Sequence, residues 1–277
     1  MKCLFLSLKE IAVLLARISL IGLTTASYAG APFISDDPLP LKYKQWEVII
    51  FSGLDKNNDL FLEPYLFAPA LEINYGPSED LLLHALVPYA WALPSPAPLA
   101  SGLGDIELGA KYRFLRETSK LPQIAFAPLL EVPTGSVNKN LGNGIPWGKL
   151  PIWAQKSWGK WTTYGGGGYV INTAPGMLNY FYSGWLLQKQ LKDQLILGGE
   201  VFYQTAITAE GNYSVLLNAG GVYSFNKNFS LLFSAGHSIF GQNHLIAYLG
   251  LYWTFEKGVF SSTHHEKIEH KLFRNTN

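Results

Sequence analysis

The chain has 277 residues, enough for one large all-β domain or two small ones, and a formal net charge of +1. Charged residues make up 15% of it, so no basic surface for nucleic acid is implied. Glycine (27), phenylalanine (16), tyrosine (15) and tryptophan (8) are frequent, a mix that suits strands, turns and membrane-interface aromatics better than helices.

The N-terminus reads as a secretory signal. Lys2 and Lys9 precede the apolar stretch IAVLLARISLIGL, and Ser27-Tyr28-Ala29 offers small residues where a signal peptidase reads. Residues 1–29 are therefore expected to be cleaved after Ala29. A membrane anchor is the alternative, but Arg17 interrupts the apolar run and leaves it short for a span. Cys3 is the only cysteine. It leaves with the signal, so the mature chain is expected to hold no disulfide or thiolate metal site. No later segment is apolar for about 18 residues, so no transmembrane helix is expected.

An extended, proline-containing lead follows at 30–44, GAPFISDDPLPLKYK. It is expected either to reach back into the fold as a plug or to hang as a tether. Strand signals then run from Gln45 to Phe255, near 45–54, 61–75, 79–91, 104–115, 121–132, 149–158, 161–172, 178–191, 194–205, 212–225, 228–239 and 244–255. Pro64 and Pro69 predict a distortion in the second of these. The polar stretch 257–277 carries His264, His265 and His270 and is expected to be a solvated tail.

The run GLGDIELGAKYRF at 102–114 shows the strand pattern most clearly. Ile106, Leu108, Ala110, Tyr112 and Phe114 fall on one face, and Asp105, Glu107, Gly109, Lys111 and Arg113 on the other. A soluble sandwich would bury the apolar row. A transmembrane barrel would turn it to lipid and line a wet lumen with the charged row. Connections decide for the barrel. Tight ones at 76–79, 116–120, 159–160, 192–193 and 226–227 alternate with longer or more irregular ones at 55–60, 92–104, 133–148, 173–177, 207–211 and 241–243. Outer-membrane barrels have short periplasmic turns, longer outer loops and an even strand number. Trp46, Tyr75, Tyr112, Phe114, Trp158, Trp161, Phe225, Phe229, Trp253 and Phe255 all lie beside the tight turns or chain-end strand termini, as a headgroup-level girdle requires. The expected fold is all-β, one antiparallel transmembrane β-barrel of about twelve strands over 45–256, with both termini periplasmic.

Four blocks carry a family resemblance: PFISDDPLPLKYKQWE, ALEINYGPSEDLLL, GLGDIELGAKYRF and LGNGIPWGKLPIWAQKSWGKWTTYGGGGYVIN. In this order they resemble the bacterial outer-membrane family labelled phenol-degradation meta-pathway (MetA-pathway) proteins, often called simply transporters. The resemblance spans most of 32–255, and the last block is its most specific part. It implies an outer-membrane barrel that passes aromatic or other hydrophobic compounds. Ile145-Pro146 stands where an Arg-Thr-like pair is expected, so no arginine role carries over to this loop.

The charged row supplies the candidate functional residues. Glu72, His84, Asp105, Glu107, Lys111, Arg113, Glu131, Glu200 and Gln204 are expected to line the lumen, either paired with one another in a filled interior or forming a selectivity field. Gly142–Lys149 superficially resembles a phosphate loop, but Leu150 stands where Ser or Thr belongs and no helix pattern follows. Gly165–Gly168 lies within a strand, where glycines suit a bend or a close backbone approach. Catalysis would draw on His84, His237, His244 and Asp105 with serines. Of these, His237 falls on the lipid-facing row, His84 is on a separate strand, and His244 lacks an obvious carboxylate partner. The expectation is therefore a non-enzymatic channel for passive passage of small, hydrophobic or aromatic solutes, with outer-membrane lipid and the solute as its partners and no cofactor, metal or nucleic acid. The alternative is a non-transporting barrel serving as a hydrolase or as a structural or adhesion platform.

Overall fold

The computed structural model describes residues 32–57, 65–92 and 99–255. The expected signal at 1–29, the tail at 257–277, and parts of the loops at 55–60 and 92–104 lie outside the described residues. Twelve strands run in chain order: β1 (Trp46–Asn57), β2 (Tyr65–Ser78), β3 (Leu81–Ala92), β4 (segments Ala100–Leu103 and Ile106–Leu115), β5 (segments Gln123–Phe126 and Leu129–Val132), β6 (Trp147–Trp158), β7 (Trp161–Ile171), β8 (Tyr180–Lys192), β9 (Leu195–Gln204), β10 (Ser214–Ser224), β11 (Phe229–Gly241) and β12 (His244–Phe255). Each pairs antiparallel with its neighbours in the chain. β12 returns to β1 in unbroken register from Trp46↔Phe255 to Asn57↔His244, which closes the sheet into a barrel.

The breaks in the strands have local causes. Pro128 brings no N–H to the ladder, so β5 parts there, and the flanking groups bond as Ala110 N–H to the Pro128 carbonyl and Ala127 N–H to the Pro151 carbonyl. The register of β2 against β3 shifts between Phe67 and Ala70, around Pro69. The tight connections fall at one end of the barrel and the longer ones at the other. The connection at 241–243 is an exception. It belongs to the set expected to be longer or more irregular, but β11 ends at Gly241 and β12 starts at His244, a tight turn. Gly241 makes this possible, with a left-handed φ of 75°.

Large apolar side chains face outward. Leu249 is 56% exposed and Trp185 55%, whereas Glu47 and Glu200 on the inner rows are 0% and 2% exposed. At the tight-turn end the outer aromatics pack against one another, with ring centroids 4.5 Å apart for the tilted Trp46–Tyr75 pair and 4.9 Å for the stacked Phe225–Phe229 and Phe229–Trp253 pairs. The interior is not uniformly polar. Ile49, Val222, Leu232 and Tyr252 form one inner apolar cluster. Trp153, Val170, Tyr182, Phe202 and Leu216 form another.

The glycine run on β7 sets how closely its neighbours approach. A Cβ on Gly166 would lie 2.0 Å from the Ile152 carbonyl oxygen and 2.9 Å from the Trp153 ring. Gly199 on β9 has room, its nearest neighbour being the Asn218 carbonyl at 3.9 Å. Gly166→Ala is therefore expected to cost about 1–3 kcal/mol through overpacking, while Gly199→Ala leaves stability unchanged. Urea unfolding of the two variants checks the difference.

Candidate functional site

The site is the barrel interior, built from inward-facing side chains of every second residue and from the lead. Residues 32–41 of the lead lie inside the sheet. Phe33 packs with Tyr164 of β7 and Leu186 of β8. The Pro32 carbonyl accepts a hydrogen bond from Ser234 of β11 at 2.6 Å. A Cβ on Gly184 of β8 would lie 1.9 Å from the Ser35 hydroxyl oxygen, so that glycine makes room for the lead. The lead leaves at the tight-turn end, where Lys44 N–H donates to the Gly76 carbonyl at 2.7 Å.

Two opposed groups hold it. The Glu200 carboxylate on β9 accepts hydrogen bonds from the backbone N–H groups of Ser35 at 2.5 Å and Ile34 at 3.1 Å, and from the Asn218 side-chain amide at 3.0 Å. On the far side, Lys111 Nζ on β4 lies 2.8 Å from Asp36 and 3.8 Å from Asp37. Both anchors are buried. A charge removed from water needs such partners, and here the lead supplies them.

A second network crosses β1, β2, β3, β4 and β6. His84 sits at its centre. Its Nδ1 is 2.8 Å from the Asn74 side-chain oxygen and 3.5 Å from Glu72, and its Nε2 is 3.1 Å from Glu107. The Asn74 amide donates to both Glu47 and Glu72 at 2.7 Å. The other Glu107 oxygen meets Lys149 Nζ at 3.1 Å. Glu131 lies directly opposite Glu107 in the β4–β5 register. Carboxylates from β1, β2, β4 and β5 thus gather around His84 of β3 and Lys149 of β6.

The remaining expected lumen residues lie elsewhere. Asp105 anchors the long loop 133–146, its carboxylate accepting from Gly135 N–H at 2.9 Å and Asn143 N–H at 2.8 Å. Gly142 has no side chain because a Cβ would fall 2.3 Å from an Asp105 oxygen. The loop turns inward, and Leu141 packs on Ala90 and Ala92 of β3. Arg113 lies at the tight-turn end, bonded to Asp80 at 2.9 Å and to Gln123 at 3.2 Å. Asp80 also binds Arg116, whose hydrogen bonds hold the Asp80 carboxyl below its ordinary value of 3.8. Gln204 is at the long-loop end of β9, opposite Tyr182 and Ser214.

Sequence reading missed Lys149, Glu47, Asn74, Asp36 and Asp37. The period-two signal was present for three of them: Glu47 follows the outward Trp46, Asn74 shares a face with Glu72, and Lys149 precedes the outward Leu150. His244, expected to lack a carboxylate, has one: its Nε2 is 2.7 Å from Asp55, across the β1–β12 seam near the long-loop end. Asp55 lies past the predicted end of the first strand, which is why spacing did not connect the two. The nearby Ser238 hydroxyl accepts from the His244 backbone N–H.

Among the charged groups, His84 has the most to lose. His84→Leu leaves Glu72 and Glu107 short of a partner in a buried setting and is expected to cost about 3–5 kcal/mol. The double variant His84→Leu/Glu107→Leu is expected to cost clearly less than the sum of the single losses, because one of the two stranded carboxylates is gone. A double-mutant cycle by urea unfolding measures this.

The family model described as "Putative MetA-pathway of phenol degradation" matches residues 45–255. Among solved structures, the COG4313 outer membrane channel from Pseudomonas putida F1 is similar at 14% identity, covering 81% of this chain and 100% of that one, with a TM-score of 0.67. The KdgM porin in complex with disordered oligogalacturonate is similar at 11% identity, covering 76% and 99%, with a TM-score of 0.53. The NanC porin is similar at 5% identity, covering 74% and 98%, with a TM-score of 0.54. At these identities the likeness concerns the fold. Comparison with curated proteins found no match.

Proposed function

The chain belongs to the family described as "Putative MetA-pathway of phenol degradation", and on that premise we propose that it is an outer-membrane barrel for passive passage of small hydrophobic or aromatic solutes. The tight-turn end faces the periplasm, with both termini on that side. The observation that carries this reading is the inverted polarity of a closed sheet: large apolar residues outside, and carboxylates, lysines and a histidine inside. Only a nonaqueous surrounding favours that arrangement, and closure leaves no unpaired strand edge in lipid. The similar outer membrane channel and the two porins support the same reading.

The choice of solute rests on the inner aromatic cluster. Trp153, Tyr182 and Phe202 line the enclosed side, with Tyr182 and Phe202 ring centroids 5.9 Å apart and Trp147 and Tyr180 packed beside them. Aromatic walls of this kind suit a flat apolar solute. The lead is the plug of this path, held by Glu200 and Lys111. Asp105 and the 133–146 loop narrow the outer mouth. Glu72, His84, Glu107 and Glu131 act first as a paired, filled interior and only secondarily as a selectivity field.

Loosening both anchors tests the proposal. The variant Glu200→Gln/Lys111→Met is expected to show larger or more frequent channel openings than the native chain in a planar bilayer, with unchanged insertion. Traces identical to the native chain would remove the lead from control of the path. A barrel that inserts and carries neither ions nor apolar solute, with or without the lead, would favour the non-transporting alternative.

A further inference from the structure

The glycine run on β7 also shapes the outer face of the barrel. Gly165 and Gly167 lie on the outward row, between Ala154 and Ile152 of β6 and Trp185 and Ser183 of β8. They floor a groove of about 610 Å³ walled by the exposed side chains of Ile152, Phe181 and Trp185. The floor cannot be filled from β7 itself: a Cβ would lie 2.7 Å from the Gly184 carbonyl at Gly165 and 2.4 Å from the Tyr182 carbonyl at Gly167. The hydroxyls bordering the groove are turned to the backbone, Ser183 donating to the Gly166 carbonyl and Thr163 to the Leu186 carbonyl. What remains is an apolar slot open on the outside of the sheet.

Its tight-turn end is cationic. Lys156 borders the groove there and is neutralised by Glu117 at 3.3 Å. Lys160 sits in the β6–β7 turn, and Lys189 Nζ lies 4.6 Å above the Trp161 ring. Among the described residues neither Lys160 nor Lys189 has a carboxylate within ion-pair distance. Two unneutralised ammonium groups beside an outward tryptophan, directly below an apolar slot, match an acyl chain joined to an anionic headgroup.

We propose that this groove holds one acyl chain of an anionic glycerophospholipid, with its phosphate between Lys160 and Lys189. The proposal rests on the reading that the sheet spans a bilayer with its tight-turn end at the inner leaflet. It adds a specific lipid site on the wall of the barrel, separate from the interior path. Lys189 supplies charge and Trp161 fixes its position. Ala154, Gly165 and Gly167 supply depth.

Native mass spectrometry of the full chain in detergent tests it, with equal concentrations of palmitoyl-oleoyl phosphatidylglycerol and phosphatidylethanolamine as probes. The native chain is expected to retain one phosphatidylglycerol in preference to phosphatidylethanolamine. Lys160→Gln and Lys189→Gln should each lower phosphatidylglycerol retention about fivefold, with phosphatidylethanolamine unaffected. Ala154→Phe, which fills the slot, should lower both. Equal retention of the two lipids by the native chain would overturn the proposal, as would undiminished retention by Ala154→Phe or a second copy of the chain occupying this face. Heat-shifted gel mobility verifies that each barrel is folded, and the two lysine variants keep the test decisive if Ala154→Phe does not fold. Insertion into phosphatidylcholine vesicles is read separately. A chain that fails to insert rejects the membrane reading, whereas one that inserts without phosphatidylglycerol preference rejects only the lipid site.

Discussion

The pairing of β1 with β12 is the constraint on which the rest of the structure depends. From Trp46↔Phe255 to Asn57↔His244 the first and last strands meet without a register shift. Closure gives every strand two partners and divides all side chains between an outer and an inner surface. A one-residue slip at this seam would turn Glu47 outward and Trp46 inward. The same seam brings Asp55 to His244. Once the sheet is closed, the enclosed groups must satisfy one another, because the exterior offers them nothing.

That requirement explains how the inner charges are distributed. They do not form a uniform field around a pore. Glu200 and Lys111 are committed to the lead, Asp105 to the backbone of the 133–146 loop, and Arg113 to Asp80 at the tight-turn end. The group around His84, with Glu47, Asn74, Glu72, Glu107 and Lys149, draws its partners from within the wall. Each set fixes a different element against the sheet. Buried charge here positions chain segments, and its cost in desolvation is offset by the ion pairs and hydrogen bonds it makes with them. The neutral inner surface is left to aromatic and aliphatic side chains, and this is the surface a hydrophobic solute would meet.

Much of the fold was legible because its signal is local. Period-two alternation in 102–114 and 244–255 depends only on neighbouring residues, and so do the turns at Gly159-Lys160 and Asn226-Lys227. Contacts between distant segments were harder to read. The lead was open to two readings because Ser35 meets Glu200 across a separation of 165 residues. Lys149 follows an irregular glycine-rich loop that hides its place in the strand period, although it lies on the inner face of β6 beside Glu107. Phe202 and Tyr182 sit on rows that a wet-lumen pattern assigns to polar residues, so they drew no attention. The 241–243 connection looked irregular by composition, yet a single left-handed glycine makes it one of the shortest.

The central claim is that the lead occupies the interior and obstructs the path in the resting protein. The Ser35→Cys/Gly184→Cys pair, in a chain whose Cys3 is replaced by serine, tests it most directly. The Ser35 Cβ lies 3.2 Å from the position a Cβ on Gly184 would take, close to the separation a disulfide needs after slight adjustment. Oxidation is expected to form the crosslink quantitatively and to abolish the openings seen in a planar bilayer, and reduction is expected to restore them. A folded barrel that does not crosslink, or one whose conductance is the same oxidised and reduced, would contradict the account.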